Sequence, residues 1–87
     1  MKWGDNIKTL ARWLQSIGFK INEKYINYFI DAKRTHNNGS EEWVTIQKDS
    51  KGYKCKLYQW VNSDLGRKIE YTAATYKEIK EYLSRYI

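Results

Sequence analysis

The sequence predicts a small α+β domain, with an N-terminal helix, a four-stranded antiparallel meander and a C-terminal helix, and with both helices on one face of the sheet. Three observations carry this prediction. Apolar residues recur at three- and four-residue steps near the start of the chain, apolar and polar residues alternate through its middle, and a helix-capping pattern follows. A length of 87 residues suits one domain, so we expect a single unit over residues 1–87.

The first helix is predicted over residues 5–17 and is expected to end at Gly18. The next segment, Lys20 to Arg34, is ambiguous, because it can be written either as a strand or as a helix that begins at Asn22. We expect a strand, since "HNNGS" after it is a good hairpin turn. The apolar stripe of the first helix consists of Ile7, Leu10, Ala11, Leu14 and Ile17.

The alternation is clearest in "EEWVTIQK" and "GYKCKLYQWVN", which the turn "DSKG" connects. A further turn, "NSDLG", leads into a short strand, "RKIEYT". Thr75 and Glu78 then form a capping box that opens the last helix. In the second of these strands one face is apolar, with Tyr53, Cys55, Leu57 and Val61, and the other carries Lys54, Lys56, Tyr58 and Trp60.

The face of the sheet opposite the helices is predicted to be open to solvent. Aromatic side chains in such number are costly on an exposed surface unless a partner covers them. That partner is nucleic acid, another protein, or a second copy of the chain, which would make the face a homodimer seam. The residues expected there are Tyr25, Phe29, Trp43, Lys54, Lys56, Tyr58, Trp60 and Lys68.

Composition favours an acidic partner. The formal net charge is +6 and the aromatic residues include eight Tyr and four Trp. Nucleic acid is the first candidate and an acidic protein surface the second, while a basic balance also serves solubility alone. The densest positive run would release counterions from a polyanion, although lysines also protect strands from edge pairing. This run consists of Lys48, Lys51, Lys54 and Lys56.

The order "WVTI", "KGYKCKLYQWV", "GRKIEYT" and "TYKEIKEYL" is similar to the single-strand-binding domain of the transcriptional coactivator positive cofactor four and its bacterial and phage relatives. The resemblance covers residues 43–86. It implies a bent four-stranded sheet followed by a helix, dimerisation through that helix, and single-stranded DNA on the sheet. It also implies that Lys54, Lys56, Tyr58 and Trp60, with Arg67 and Lys68 of the "GRK" step, contact the DNA strand.

Enzymatic chemistry is not expected. His36 is the only histidine and falls in a predicted turn, which leaves neither a zinc site nor a nucleophile–histidine pair. The glycines are scattered singly, so no phosphate loop is predicted, and we expect no metal and no cofactor. The single cysteine, Cys55, excludes an internal disulfide. No apolar run suits a membrane, so we expect a cytoplasmic protein, in a bacterial or phage-infected cell by its low-GC composition.

The sequence therefore predicts a non-enzymatic nucleic-acid-binding module that prefers single-stranded DNA or RNA. Lysines would hold phosphates while Tyr58 and Trp60 stack on bases, and Trp60→Ala is expected to lose much of the affinity. The alternative is a small phage-type inhibitor, such as an anti-CRISPR or other anti-defence protein, that blocks a host protein. The predicted contact residues are Trp43, Lys48, Lys51, Lys54, Lys56, Tyr58, Trp60, Arg67 and Lys68.

Overall fold

A computed structural model of the chain describes residues 5–25 and 28–87 and shows an α+β fold. These residues form an N-terminal helix, one antiparallel sheet of five strands and a C-terminal helix, with a short 3-10 helix at Glu23–Tyr25. The strand order β1-β2-β3-β4-β5 follows the chain, so the sheet is a meander. The elements are α1 (Asp5–Ser16), β1 (Lys20–Ile21), β2 (Phe29–Thr35), β3 (Glu41–Asp49), β4 (Gly52–Val61), β5 (Asp64–Ala73) and α2 (Tyr76–Ser84).

The sequence predicts one strand over Lys20–Arg34, but the structure has two strands there, β1 and β2. The sheet therefore has five strands and not four. The extended chain stops at Asn22, whose side-chain oxygen accepts a hydrogen bond from the Lys24 backbone N–H at 3.2 Å. This Asx cap starts the short 3-10 helix at Glu23–Tyr25. The alternative prediction is a helix that begins at Asn22, and the structure has only this one short turn there. The chain then returns so that Ile21 pairs with Ala32. Residues 26 and 27 of the predicted strand lie outside the described residues.

Both helices pack on one face of the sheet, as predicted. Four residues of the predicted apolar stripe are buried on α1, whereas Ile17, just beyond the end of α1 at Ser16, is partly buried. The second helix, α2, buries Ile79 and Leu83. The capping box is present in part, because Thr75 Oγ1 accepts a hydrogen bond from the Glu78 N–H at 3.3 Å. Neither α1 nor α2 is long and apolar enough to cross a bilayer. The sheet and the α1–β1 link supply the rest of the core: Phe19, Ile30, Ala32, Val44, Ile46, Tyr53, Cys55, Leu57 and Ala73.

The β4–β5 hairpin has a two-residue turn in which Asn62 and Ser63 both have positive φ, 50° and 71°. This is the turn geometry that matches the twist of paired strands. It lets β5 begin at Asp64, earlier than the short strand predicted from "RKIEYT". Gln59 pairs with Arg67, but the next residue, Trp60, pairs with Leu65. Gly66 is therefore the extra residue of a β-bulge in β5.

A polar cluster lies on the helix side of the sheet, around the buried Glu42 carboxylate. Arg34 donates from Nε to Glu42 Oε1 at 2.8 Å and from Nη1 to the carbonyl oxygen of Ile17 at 2.8 Å. His36 Nε2 lies 2.7 Å from the same Oε1, and because a carboxylate only accepts, this nitrogen carries the proton. Burial raises the pKa of Glu42, but the hydrogen bonds from His36 and Arg34 outweigh it and hold the pKa below its usual value.

Candidate nucleic-acid interface

The strand register defines the sheet face that lies opposite the helices, which we call the open face. Residues directly opposite each other in antiparallel strands share a face, so the pairing fixes its membership. The open face consists of Phe29, Asp31, Lys33 and Thr35 of β2, Glu41, Trp43, Thr45 and Gln47 of β3, Lys54, Lys56, Tyr58 and Trp60 of β4, and Leu65, Lys68, Glu70 and Thr72 of β5.

One row of the open face crosses four strands as cation, aromatic, aromatic, cation. Lys33 pairs with Trp43, Trp43 with Tyr58, and Tyr58 with Lys68. Lys33 Nζ lies 5.4 Å from the centroid of the Trp43 ring and Lys68 Nζ lies 5.8 Å from that of Tyr58. Four adjacent strands make this row about 14 Å wide. It therefore presents two flat rings with an ammonium group beside each.

The side chain of Trp43 is held in place from both sides. Its Nε1 donates to Glu41 Oε2 at 3.2 Å, and the same carboxylate oxygen pairs with Lys33 Nζ at 2.8 Å. These hydrogen bonds from Lys33 and Trp43 lower the pKa of Glu41 below its usual value. Trp43 is nevertheless 40% exposed, so a fixed indole ring faces solvent. A ring that is already oriented loses little side-chain freedom when a base stacks on it.

Trp60 lies on the open face, as the alternation of β4 predicts, but it is only half-exposed. Its ring contacts Trp43, with centroids 5.3 Å apart and planes at 46°. Its Nε1 is buried and has no hydrogen-bond partner within the described residues. Trp60 thus supports Trp43, and Trp43 is the more exposed of the two rings.

The rest of the open face carries both signs of charge. Lys54 and Lys56 follow the basic–aromatic alternation predicted for β4 and lie on this face. Lys56 pairs with Glu70 across the strands, and Lys68 Nζ lies 3.9 Å from Glu70 Oε1. Lysines thus alternate with carboxylates, and the open face is only weakly positive. Its charged residues are Lys33, Lys54, Lys56 and Lys68 against Asp31, Glu41 and Glu70.

The structure brings six of the predicted contact residues together and separates three. Trp43, Lys54, Lys56, Tyr58, Trp60 and Lys68 share the open face. Lys48 pairs with Tyr53 and Arg67 with Gln59, which places both on the helix side. Arg67 lies over the Tyr86 ring at 5.4 Å. Lys51 lies in the β3–β4 turn. The cause is strict alternation, because Arg67 and Lys68 are neighbours on one strand and must face opposite ways.

Several open-face residues were not among the predicted contacts, and they include Lys33, Glu41 and Glu70. The alternation of β2 places Lys33 beside Trp43, but only the register of the strands reveals the row that it completes. The two acidic residues follow from the same alternation in β3 and β5. Charge counting along a single strand could not show them next to the lysines.

Other reactive groups do not form a site in the described part of the chain. Burial raises the pKa of the Cys55 thiol to about 12, so the thiol stays protonated at neutral pH. His36 is engaged with Glu42 in the polar cluster. Over residues 5–25 and 28–87, no three His, Cys, Asp or Glu side chains are grouped as metal ligands would be.

No protein-family model matches the chain, and neither a curated protein nor a solved structure is significantly similar to it. The resemblance of residues 43–86 to the positive-cofactor-four domain therefore stays a prediction.

Proposed function

We propose that the protein binds single-stranded nucleic acid on the open face and does no chemistry on it. The observation that carries the proposal is the row of Lys33, Trp43, Tyr58 and Lys68 on the side of the sheet that the helices leave uncovered. Bases of a single strand stack on aromatic rings while cations hold the phosphates, and such stacking tolerates any sequence because every base has a π-face.

The positions of the lysines support a definite arrangement of the strand. The exposed ring of Trp43 and the ring of Tyr58 are direct cross-strand neighbours, so two bases can lie side by side across the sheet. Lys33 and Lys68 flank these rings, and Lys56 and Lys54 continue along β4 at steps of two residues. A phosphate backbone that passes the rings therefore meets ammonium groups on both sides and along one strand.

Tryptophan fluorescence titrated with a mixed-sequence single-stranded oligonucleotide tests the proposal. We expect saturable quenching that weakens as salt is raised from low to near-physiological concentration. Trp43→Ala should cost about 1–3 kcal/mol of binding free energy, roughly a 5- to 150-fold rise in Kd, because one stacked base is lost. The affinity of this variant is measured by fluorescence anisotropy of a labelled oligonucleotide, which needs no protein tryptophan.

Trp13→Phe is the matched control. Trp13 packs against the core from α1, where Lys80 Nζ lies 5.7 Å from its ring centroid, on the helix side of the sheet. Its replacement should leave both the affinity and most of the quenching unchanged. Wild-type affinity in Trp43→Ala, or quenching that disappears only in Trp13→Phe, would contradict an interface on the open face.

The mixed charge of the open face favours a protein partner as the second candidate. Carboxylates beside the lysines repel a polyanion but suit a protein surface of mixed charge, and Tyr and Trp are common hot-spot residues in protein interfaces. Val61 and Leu65, 55% and 48% exposed, add apolar surface at the β4–β5 turn. In this case the protein would block a host protein, as an anti-defence inhibitor does. Weak retention on heparin at low salt, with no quenching by oligonucleotides, would support this second candidate.

A further inference from the structure

The outer edge of β5 is the longest unpaired strand edge in the described part of the chain. β5 has ten residues and pairs only with β4, whereas at the other side of the sheet β1 covers part of β2. An unpaired edge presents a row of backbone N–H and C=O groups that can pair with another strand. The order of the side chains along β5 indicates which strand that is.

We propose that β5 pairs with β5 of a second copy of the chain, antiparallel and around a two-fold axis at Ile69. In this register Ile69 lies opposite its own equivalent, Lys68 lies opposite Glu70 of the second copy, and Glu70 lies opposite its Lys68. Both charge pairs lie on the open face, because Lys68 and Glu70 belong to it. The side chains of Lys68 and Glu70 are 52% and 48% exposed and therefore accessible to a second copy.

Neighbouring registers lack this complementarity. A two-fold axis at Lys68 places two ammonium groups opposite each other, and an axis at Glu70 does the same with two carboxylates. Like charges directly opposite in a sheet are destabilising. A shift by one residue of one strand sets the open face of one copy against the helix side of the other. The charges around Ile69 therefore select one register.

The helix side of β5 shows a second complementarity in the same register. Arg67 lies opposite Tyr71 of the second copy, and Tyr71 lines a groove together with Glu78, Glu81, Tyr82 and Arg85. This groove is on the outer side of α2, because the side toward α1 carries Lys80 over the Trp13 ring. The groove of one copy, which holds two carboxylates, the Arg85 guanidinium and the stacked Tyr71–Tyr82 pair, therefore lies beside Arg67 of the other. Within its own copy the Arg67 guanidinium lies over the Tyr86 ring.

The paired segment is short, which sets the strength of the dimer. The bulge between Leu65 and Arg67 ends the regular edge on one side, so the two-fold axis confines regular pairing to Arg67–Tyr71. A small, partly polar interface of this kind is typical of weak association. The open face stays uncovered and becomes continuous across both copies, so this inference does not depend on what that face binds.

Sedimentation velocity over a wide range of protein concentration tests the inference. We expect the wild type to pass from monomer to dimer as concentration rises. In a homodimer of either Lys68→Glu or Glu70→Lys, residues 68 and 70 of the two copies carry the same charge, and the two-fold axis repeats this repulsive pair. Each variant should therefore raise the dimer Kd roughly tenfold or more. An equimolar mixture of the two variants should form a heterodimer, since one copy then presents two carboxylates and the other two ammonium groups. The double variant Lys68→Glu/Glu70→Lys should dimerise like the wild type.

Circular dichroism establishes that each variant is folded, which we expect because both side chains are solvent-exposed. A wild type that remains monomeric at every concentration would overturn the inference. Equal dimerisation of the wild type and both single variants would overturn it too, because the contact would then lie elsewhere. Oligonucleotide binding is read separately, so its failure leaves this outcome unaffected.

Discussion

Gly52, the first residue of β4, shows how one residue fixes the junction between the sheet and α2. Its φ is +139°, a conformation that side chains rarely adopt, and a Cβ atom there would overlap the carbonyl oxygen of Ala73. β4 and β5 therefore approach each other closely just before α2 begins. The Lys51 N–H donates to Asp49 Oδ1 at 2.8 Å and closes the turn that precedes this glycine.

Gly52→Ala should lower the free energy of unfolding by about 2 kcal/mol or more, because both the backbone and the Ala73 carbonyl must shift. Urea unfolding followed by tryptophan fluorescence measures the change. Gly66→Ala is the matched control, since a Cβ at Gly66 has ordinary contacts, 3.4 Å from the Gln59 carbonyl oxygen and 3.7 Å from Val61. Equal losses in the two variants would show that neither strain nor overlap at Gly52 is responsible.

At the scale of elements, the polar cluster around Glu42 joins parts that the sheet alone does not hold. Arg34 of β2 reaches the carbonyl oxygen at the end of α1, and Gln59 of β4 donates to Glu42 Oε2 at 3.4 Å and to the carbonyl oxygen of Tyr86 at 3.3 Å. Glu42 thus connects β2, β3 and β4 with the segments that follow both helices. A buried carboxylate in such a network stabilises the fold only while it is ionised.

The lowered pKa of Glu42 makes this contribution pH-dependent. A carboxyl whose pKa is lower in the folded state contributes fully above its unfolded value, near 4.5, and the contribution is lost as pH falls through the folded pKa. Glu42→Gln should therefore lose about 2 kcal/mol or more of unfolding free energy at pH 7 and show a flatter decline below pH 4.5. Urea unfolding at a series of pH values measures both.

Glu41→Gln is the control for this pH series. The Glu41 side chain is 30% exposed and pairs with Lys33 on the open face, so its loss should matter less. His36 and Arg34 face Glu42 in both the wild type and the control. If the free energy of unfolding of Glu42→Gln falls with decreasing pH in parallel with that of the wild type, another carboxyl controls acid unfolding.

The elements that the sequence predicted correctly are those in which one periodicity dominates. In α1 the three- and four-residue spacing, and in β3 and β4 the alternation, each place apolar residues on a single face, so burial selects one structure. Lys20–Arg34 has apolar residues on both faces, and its outcome depends on the Asn22 cap and on pairing between Ile21 and Ala32. Such a two-residue strand has no periodic signal.

The sequence predicted the part of the candidate site that lies on a single strand, β4. The alternation in β4 places Lys54, Lys56, Tyr58 and Trp60 together without any knowledge of the neighbours. The row from Lys33 to Lys68 instead depends on three registers, and these depend on turn lengths and on a bulge in β5. Pairing across strands is a long-range property that local patterns do not encode.

For the whole molecule, the decisive property is the distribution of its +6 charge. The open face contributes little of it, because carboxylates accompany the lysines. Other cations lie on the helix side, as Lys48 and Arg67 do. In the proposed complex, long-range attraction would act on a polyanion from all directions, and contacts on the open face would distinguish a bound strand from a loosely held one.

Lys54→Ala and Lys48→Ala separate these two contributions. Each removes one positive charge, but Lys54 lies on the open face whereas Lys48 lies on the helix side, with its Nζ 5.8 Å from the Tyr53 ring centroid. We expect Lys54→Ala to reduce the slope of log K against log salt by about 0.7, one phosphate contact to a single strand. Lys48→Ala should leave the slope nearly unchanged. Equal effects would mean that the strand crosses the β3–β4 turn to the helix side.

The meander order also has a consequence for synthesis on the ribosome. Each strand pairs with the one made just before it, so hairpins can form while the chain is still emerging, and folding of such local pairings is fast. Ile79 and Leu83, however, close the core from α2. In a nascent chain that has not yet reached Tyr76, any sheet that has formed therefore has part of its apolar face uncovered. Chaperone binding to this protein should be confined to the interval before α2 emerges.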